Sequence, residues 1–136
     1  MDIEAAFTAY LLTQTGLTAL IDRRIFPDET PQYVDLSKQT AVAYTHISDE
    51  KINTHEGINK TERPNYQFTA YAPPRAEAKT ISTQIKAALC DYTGTMGGLT
   101  IQYVVLINEI YSTEHPAEGA SVSMCDLEFE INYERG

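Results

Sequence analysis

Three histidines, two cysteines and several carboxylates are the side chains here that could take part in catalysis or bind a metal. The histidines stand in three separate segments, at His46, His55 and His115, so no pair has metal-ligand spacing. Beside His55 stand Asp49, Glu50 and Glu56, and this group could in principle hold a hard cation. Because the spacing matches no calcium-binding loop, we interpret it as a solvated polar loop and expect no metal or other cofactor.

The two cysteines are poor candidates for a nucleophile. Cys90 falls at the end of a predicted helix, where the helix dipole raises the pKa of a thiol instead of lowering it. Cys125 falls on the same strand face as Leu127 and is expected to point inward. The two could form a disulfide, but without a secretion signal we expect free thiols. No Gly-x-Ser-x-Gly motif is present, and we expect no enzyme.

The glycines Gly94, Gly97 and Gly98 superficially resemble a phosphate-binding loop. The Lys-Ser/Thr ending of such a loop is missing, and so is the apolar strand that should precede it. A tight turn that re-enters a sheet is therefore the interpretation we favour.

A row of carboxylates, Asp126, Glu128 and Glu130, shares one face of a predicted strand. Such a row usually forms only a solvated sheet face. The functional alternative is a binding or channel-lining surface, and these three residues are our candidate lumen face.

Length and charge restrict the class of protein. At 136 residues, the chain is expected to form a single domain over residues 1–136. Nineteen Asp and Glu against ten Lys and Arg give a net charge of −9, which argues against specific nucleic-acid binding. No apolar run approaches the length of a membrane span, and the first residues lack a signal-peptide core. These features predict a soluble, cytoplasmic, acidic domain.

The hydrophobic period divides the chain into helices and strands. Residues 3–15 and 75–90 have a helical period, with Gly16 as the expected stop of the first helix and Pro74 as the first residue of the second. A short helical turn near 17–21 and a brief strand at 24–27 lie between them. Four segments alternate with the period of strands: 40–48, 65–72, 99–107 and 121–133.

These elements predict an α+β fold, in which a mostly antiparallel four-to-five-stranded sheet carries two main helices packed on one face. The strand at 99–107 is expected to point Leu99, Ile101, Tyr103, Val105 and Ile107 to one side. The predicted core consists of Phe7, Leu11, Ile81, Ile85, Leu89, Ile101, Tyr103, Phe129 and Ile131.

Three polar segments are predicted as loops: 28–38, 49–62 and 111–119. The middle loop is longer than a hairpin requires, and such loops are often functional. Its polar residues are our candidate interaction loop: Asp49, Glu50, Lys51, His55, Glu56, Asn59, Lys60 and Glu62.

The succession of these segments resembles the tail-completion, or head-to-tail joining, protein family of long-tailed bacteriophages. The resemblance covers nearly the whole chain, and no single motif in it is specific. It rests on these segments in order: Tyr10-Leu11, 16–21, 24–27, 41–48, 66–71, 76–89, 94–100 and 127–131. Pro73-Pro74 and the long loop at 28–38 depart from the pattern expected of the family.

The resemblance implies a structural virion protein, a ring-forming adaptor that joins the capsid connector to the tail tube. It also implies a hexameric ring, assembly in the host cytoplasm and no catalytic residues. Two alternatives remain: another minor tail or connector component, or a small cellular adaptor domain without catalysis.

Overall fold

The structure, a computed structural model, describes residues 2–28, 39–51, 61–114 and 121–134, the side chains at 48–51, 61 and 114 excepted. Three helices and six strands follow one another along these residues. In chain order they are α1 (Ile3–Leu12), α2 (Thr15–Ile21), β1 (Ile25–Pro27), β2 (Ala41–Lys51), β3 (Thr61–Ala72), α3 (Arg75–Leu89), β4 (Gly94–Met96), β5 (Leu99–Glu114) and β6 (Val122–Glu134).

The strands form one sheet with the order β1-β2-β3-β6-β5-β4. β1 runs parallel to β2, and every other neighbouring pair is antiparallel. The α+β class agrees with the prediction, but the sheet is six-stranded and mixed, so the predicted count of four to five strands is wrong. The additional strand is β4, which lies within the predicted glycine turn. Its three residues are too few to show an alternation.

The helices and one face of the sheet enclose a single hydrophobic core. Phe7 of α1 packs edge-on against Tyr44, Tyr66 and Phe68, with ring centroids 4.9 to 5.1 Å away. Of the nine predicted core residues, all but Tyr103 are buried. The four alternate residues Leu127, Phe129, Ile131 and Tyr133 of β6 are also buried on this helix-covered face, as predicted.

Two predicted helix boundaries are wrong. The first helix ends at Leu12, and Gly16 lies inside α2 instead of ending α1. A Cβ at this glycine would lie 2.5 Å from Oε1 of Gln84, so a larger residue here would require the flexible end of that side chain to move. Pro74 precedes the first helical residue of α3 and has extended backbone angles, so it is the cap and not the first residue. The strand before it ends at Ala72, as the Pro73-Pro74 pair predicts.

β5 departs from the predicted alternation. Its pairing with β6 shifts register between Ile101 and Tyr103 and again between Leu106 and Asn108. Each shift adds one residue to β5 and reverses which side chains face the core. Val104 is buried, whereas Tyr103 is only partly buried and Val105 is 46% exposed. The predictions that Tyr103 belongs to the core and that Val105 and Ile107 share the face of Leu99 are therefore wrong.

The structure tests the predicted connections after β5 and β4 and only the first residue of the loop at 28–38. β5 continues to Glu114, so residues 111–114 of the predicted loop at 111–119 are strand. The glycine segment does contain a tight turn, because Gly97 and Gly98 have positive φ angles of 57° and 84° and join β4 to β5. This left-handed geometry suits a two-residue hairpin turn. Of the predicted loop at 28–38, all but Asp28 lies outside the described residues.

Candidate interaction surfaces

The acidic row of β6 lies on the sheet face opposite the helices. Asp126, Glu128 and Glu130 alternate with the buried core residues of this strand and are each partly buried. Neutral donors of the neighbouring strands hold all three carboxylates. The Thr69 hydroxyl donates to Asp126 Oδ1 at 2.7 Å, and the Tyr103 hydroxyl donates to Glu130 Oε2 at 3.0 Å.

The central carboxylate of the row has a longer contact. Asn65 Nδ2 lies 3.5 Å from Oε2 of Glu128. The row is therefore an ordered line of negative charge held in place by its neighbours.

Beyond Glu130, at one end of the acidic row, the hydrogen-bonded pairing of the sheet is interrupted. The pairing of β3 with β6 is interrupted between Glu62 and Asn65, where Pro64 has no N–H to donate. The register places Arg63 opposite Asn132 in this gap. Asn132 follows Glu130 in the alternation of β6, yet it is 2% exposed, and its Oδ1 has no hydrogen-bond partner among the described residues.

Exposed apolar side chains lie beside this acidic row on β5. Val105, Ile107 and Ile110 are each about half exposed. β4 pairs only with Leu99–Ile101, so among the described residues the later part of β5 has no strand neighbour on that side. At the other edge of the sheet, β1 pairs with β2 only as far as Tyr44. Among the described residues, the last residues of β2 therefore also have no strand neighbour on that side. Unpaired strand edges with apolar side chains are typical sites of association.

The candidate interaction loop is divided by the structure. Asp49, Glu50 and Lys51 are residues of β2 and pair with Pro64, Arg63 and Glu62 of β3, so the predicted loop bounds of 49–62 are wrong. The remaining predicted members, His55, Glu56, Asn59 and Lys60, lie outside the described residues. The connection between the two strands is residues 52–60, and its role remains a prediction.

A cleft of about 220 Å³, which we call the acidic cleft, opens between the start of α1 and the strands. Its polar lining comes from Asp2, Glu4, His46, Glu62, Tyr66 and Tyr133. The Tyr66 hydroxyl donates to Glu4 Oε2 at 3.0 Å, and the Tyr133 hydroxyl donates to Glu62 Oε2. Asp2 also caps α1 by accepting from the amide of Ala5 at 2.7 Å. The lining contains three carboxylates and no Lys or Arg.

A second surface, which we call the basic ridge, lies where the start of α3 meets the end of β5. Arg75 and Lys79 are one helical turn apart, and both lie over the ring of Tyr111, at 5.6 and 5.7 Å from its centroid. A small cleft of about 120 Å³ opens beside Arg75 and Tyr111. Neither cation forms an ion pair at contact distance among the described side chains, although the charge of Lys79 contributes to lowering the pKa of Glu109.

Farther along the same helix, Lys86 is already paired. Its Nζ lies 2.8 Å from Oε1 of Glu109, and this contact is the main reason why the pKa of Glu109 is lowered. The Tyr111 hydroxyl donates to the same carboxylate oxygen at 2.8 Å. Burial raises the pKa of this tyrosine, so it remains neutral and works as a donor. The pairing fixes the Tyr111 ring beneath the two cations.

The described residues contain few groups arranged for catalysis or metal binding. Both cysteines are free, and burial raises the pKa of each thiol. Cys125 is fully buried, as expected, and Cys90 is partly buried. His46 stacks on Tyr66 at 4.8 Å, whereas His55 and His115 lie outside the described residues. Among the residues that the structure describes, no three His, Cys, Asp or Glu side chains form a metal site.

The sequence predicted the acidic row but missed both the acidic cleft and the basic ridge. The i, i+4 spacing of Arg75 and Lys79 was a visible signal, but their tyrosine partner comes from β5, 32 residues farther along the chain. No local signal points to the cleft, because its residues come from α1, β2, β3 and β6.

The fold and these surfaces define a class of protein: a small α+β domain whose distinguishing features are charged and apolar surfaces suited to binding other proteins. In the described part of the chain, no helix is both long enough and apolar enough to cross a membrane.

Comparison with known proteins identifies the family. The model of the family described as "Tail completion protein gp17" matches residues 5–123, and the chain belongs to this family. It is a family of structural proteins of the phage virion. The comparison with curated proteins finds no match.

Solved structures share the fold. A chain from the virion of a native gene transfer agent particle is similar with a TM-score of 0.67 at 16% identity, over 98% of this chain and 98% of that chain. A second solved structure has a TM-score of 0.56 at 13% identity, over 98% of this chain and 96% of the other. These structures show the fold, and the family match over residues 5–123 confirms the predicted tail-completion family.

Proposed function

We propose that this protein is a ring-forming adaptor between the capsid connector and the tail tube of a phage virion, and that the acidic row lines its channel. The ring is hexameric and assembles in the host cytoplasm. The observation that carries the proposal is the placement of Asp126, Glu128 and Glu130 on the helix-free face, each held by a neutral donor.

The charge of the row suits a channel through which DNA passes. A basic lining would bind the phosphate backbone by releasing counterions and would slow the passage of DNA. Carboxylates instead repel the duplex within a Debye length, ~8 Å at physiological salt. A ring multiplies three carboxylates into an acidic belt. The hydrogen bonds from Thr69 and Tyr103 keep the carboxylates from turning away from the channel.

The sheet edges support assembly into a ring. The later part of β5 at one edge and the last residues of β2 at the other both lack a strand neighbour among the described residues. Two different edges that complement each other form a head-to-tail contact, and such a contact closes into a ring when the rotation is suitable. The exposed Ile107 and Ile110 add apolar area at the β5 edge. We further propose that the loop at 52–60 contacts a partner ring.

The test compares two variants that each lose three negative charges, one in the acidic row and one elsewhere on the protein. The variant D126N/E128Q/E130Q removes three negative charges and keeps the shape of each side chain. The control D22N/E77Q/D91N removes three charges outside the row. Asn is used at Asp22 and Asp91 because both have positive φ angles, which Asn tolerates.

DNA binding and DNA ejection are then measured. The assembled wild-type ring and the control should not bind duplex DNA at low salt. The row variant should bind it, and phage complemented with the row variant should eject DNA more slowly. A variant with Lys at all three positions should show a larger effect. If the Lys variant assembles and ejects DNA at the wild-type rate, the channel is lined by another face.

A further inference from the structure

The basic ridge and the acidic cleft have opposite charges on the same side of the sheet. Tyr111 pairs with the buried Cys125, so the ridge lies on the helix-covered face. His46 pairs with the buried Tyr66, which places the cleft on the same face. The ridge presents two cations over an aromatic ring, and the cleft presents three carboxylates.

The ridge lies at β5, near one edge of the sheet, whereas the cleft extends from the central strands β6 and β3 to β2. The ridge borders the part of β5 that lacks a strand neighbour among the described residues. The cleft includes His46, which follows the last residue of β2 that pairs with β1. The two surfaces share no residue, and a head-to-tail neighbour can bring the ridge of one molecule to the cleft of the next.

The register gives the offset between them. Tyr111 lies at the level of Val42, and His46 lies at the level of Leu106, when the pairings are followed across the sheet. The offset is therefore four residues along β2, β3 and β6, or ~14 Å, and the extra residue of β5 makes it five on that strand. A neighbour whose ridge met this cleft would therefore be displaced along the strand direction by about that distance.

We propose that Arg75 and Lys79 of one subunit bind the acidic cleft of the next copy of this chain, and that this contact sets the direction and stagger of the ring. The proposal rests on the ring-forming function proposed above and names the surfaces that hold the ring together. The guanidinium of Arg75 is suited to Glu4 and Glu62, because it can donate to carboxylates from several N–H groups.

Charge reversal tests the contact. The ridge variant R75E/K79E has two acidic surfaces, and the cleft variant E4K/E62K gains positive charge in the cleft. Each alone should self-associate at least tenfold more weakly than wild type in sedimentation experiments. An equimolar mixture should recover association, because each acidic surface then meets a basic one. R23E reverses an exposed cation outside the ridge and should associate like wild type.

Cross-linking identifies the contact directly in the wild-type protein. A carbodiimide joins an amine to a carboxylate in contact with it. A bond between Lys79 and Glu4 or Glu62 would therefore report the ridge-to-cleft contact. Mixing isotopically light and heavy subunits shows that the bond joins two molecules. The neutral variant E4Q/E62Q keeps the acceptors for Tyr66 and Tyr133 and should lose the cross-link while its thermal unfolding stays close to wild type.

The outcomes separate this inference from the proposed function. If the wild type and the ridge variant associate equally well, the proposed ring assembly is retained and the proposed ridge-to-cleft contact is wrong. If each variant loses association but the mixture does not recover it, the two surfaces do not bind each other. If wild type remains monomeric at all concentrations and forms no cross-link between molecules, both proposals fail.

Discussion

Replacing each of two adjacent valines of β5 in turn tests the register shift between Ile101 and Tyr103. Val104 is 1% exposed and Val105 is 46% exposed, because the extra residue near Gln102 reverses the faces of the strand. Val104→Ala removes two buried carbons. At ~0.8 kcal/mol for each, with a further cost for the cavity, the free energy of unfolding should fall by roughly 2 kcal/mol. Val105→Ala loses about half of that burial and creates no cavity, so it should cost less than ~1 kcal/mol.

Urea unfolding followed by circular dichroism measures both variants. The m-value, which is the dependence of the unfolding free energy on urea concentration, should be unchanged. The loss of stability should therefore appear as a lower midpoint urea concentration. In thermal unfolding, Val104→Ala should lower Tm by roughly 6–10 °C, since ~1 kcal/mol corresponds to several degrees for a domain of this size. The simple alternation of residues 99–107 makes the opposite prediction, with Val105 as the core residue. If Val105→Ala is the more destabilising change, the register shift is wrong.

Three further predictions concern the helices. Ile85→Ala removes a fully buried side chain of α3 and should lower the free energy of unfolding by ~2–5 kcal/mol, whereas a loss under ~1 kcal/mol would place Ile85 at the surface. Asp2→Ala removes the cap of α1 and should cost ~1 kcal/mol, whereas Asp2→Asn should cost less, because Asn also caps helices. Lys86 lowers the pKa of Glu109, so the stabilisation is complete above the unfolded pKa of about 4.3 and is lost as the pH falls through the lower folded value. Glu109→Gln should therefore weaken the dependence of stability on pH below about pH 5, and an unchanged acid profile would show that the pair contributes nothing.

The sequence alone determined the elements whose pattern is local. The alternation of β6 and the amphipathic period of α3 depend on neighbouring residues in the chain, and both predicted elements are present. The acidic row also followed from this alternation, because successive side chains of a strand point to opposite faces. The order of these local elements was sufficient to identify the family.

Tertiary structure decided the features that depend on distant parts of the chain. The register shifts of β5 arise from its pairing with β6, so neither Tyr103 nor Val105 belongs to the core, although the local pattern is regular. The strands around 49–51 and 111–114 extend into polar segments because a neighbouring strand supplies their hydrogen bonds. The acidic cleft and the basic ridge each combine elements far apart in sequence. Only folding brings their charges together, and periodicity within a single segment carries no information about such contacts.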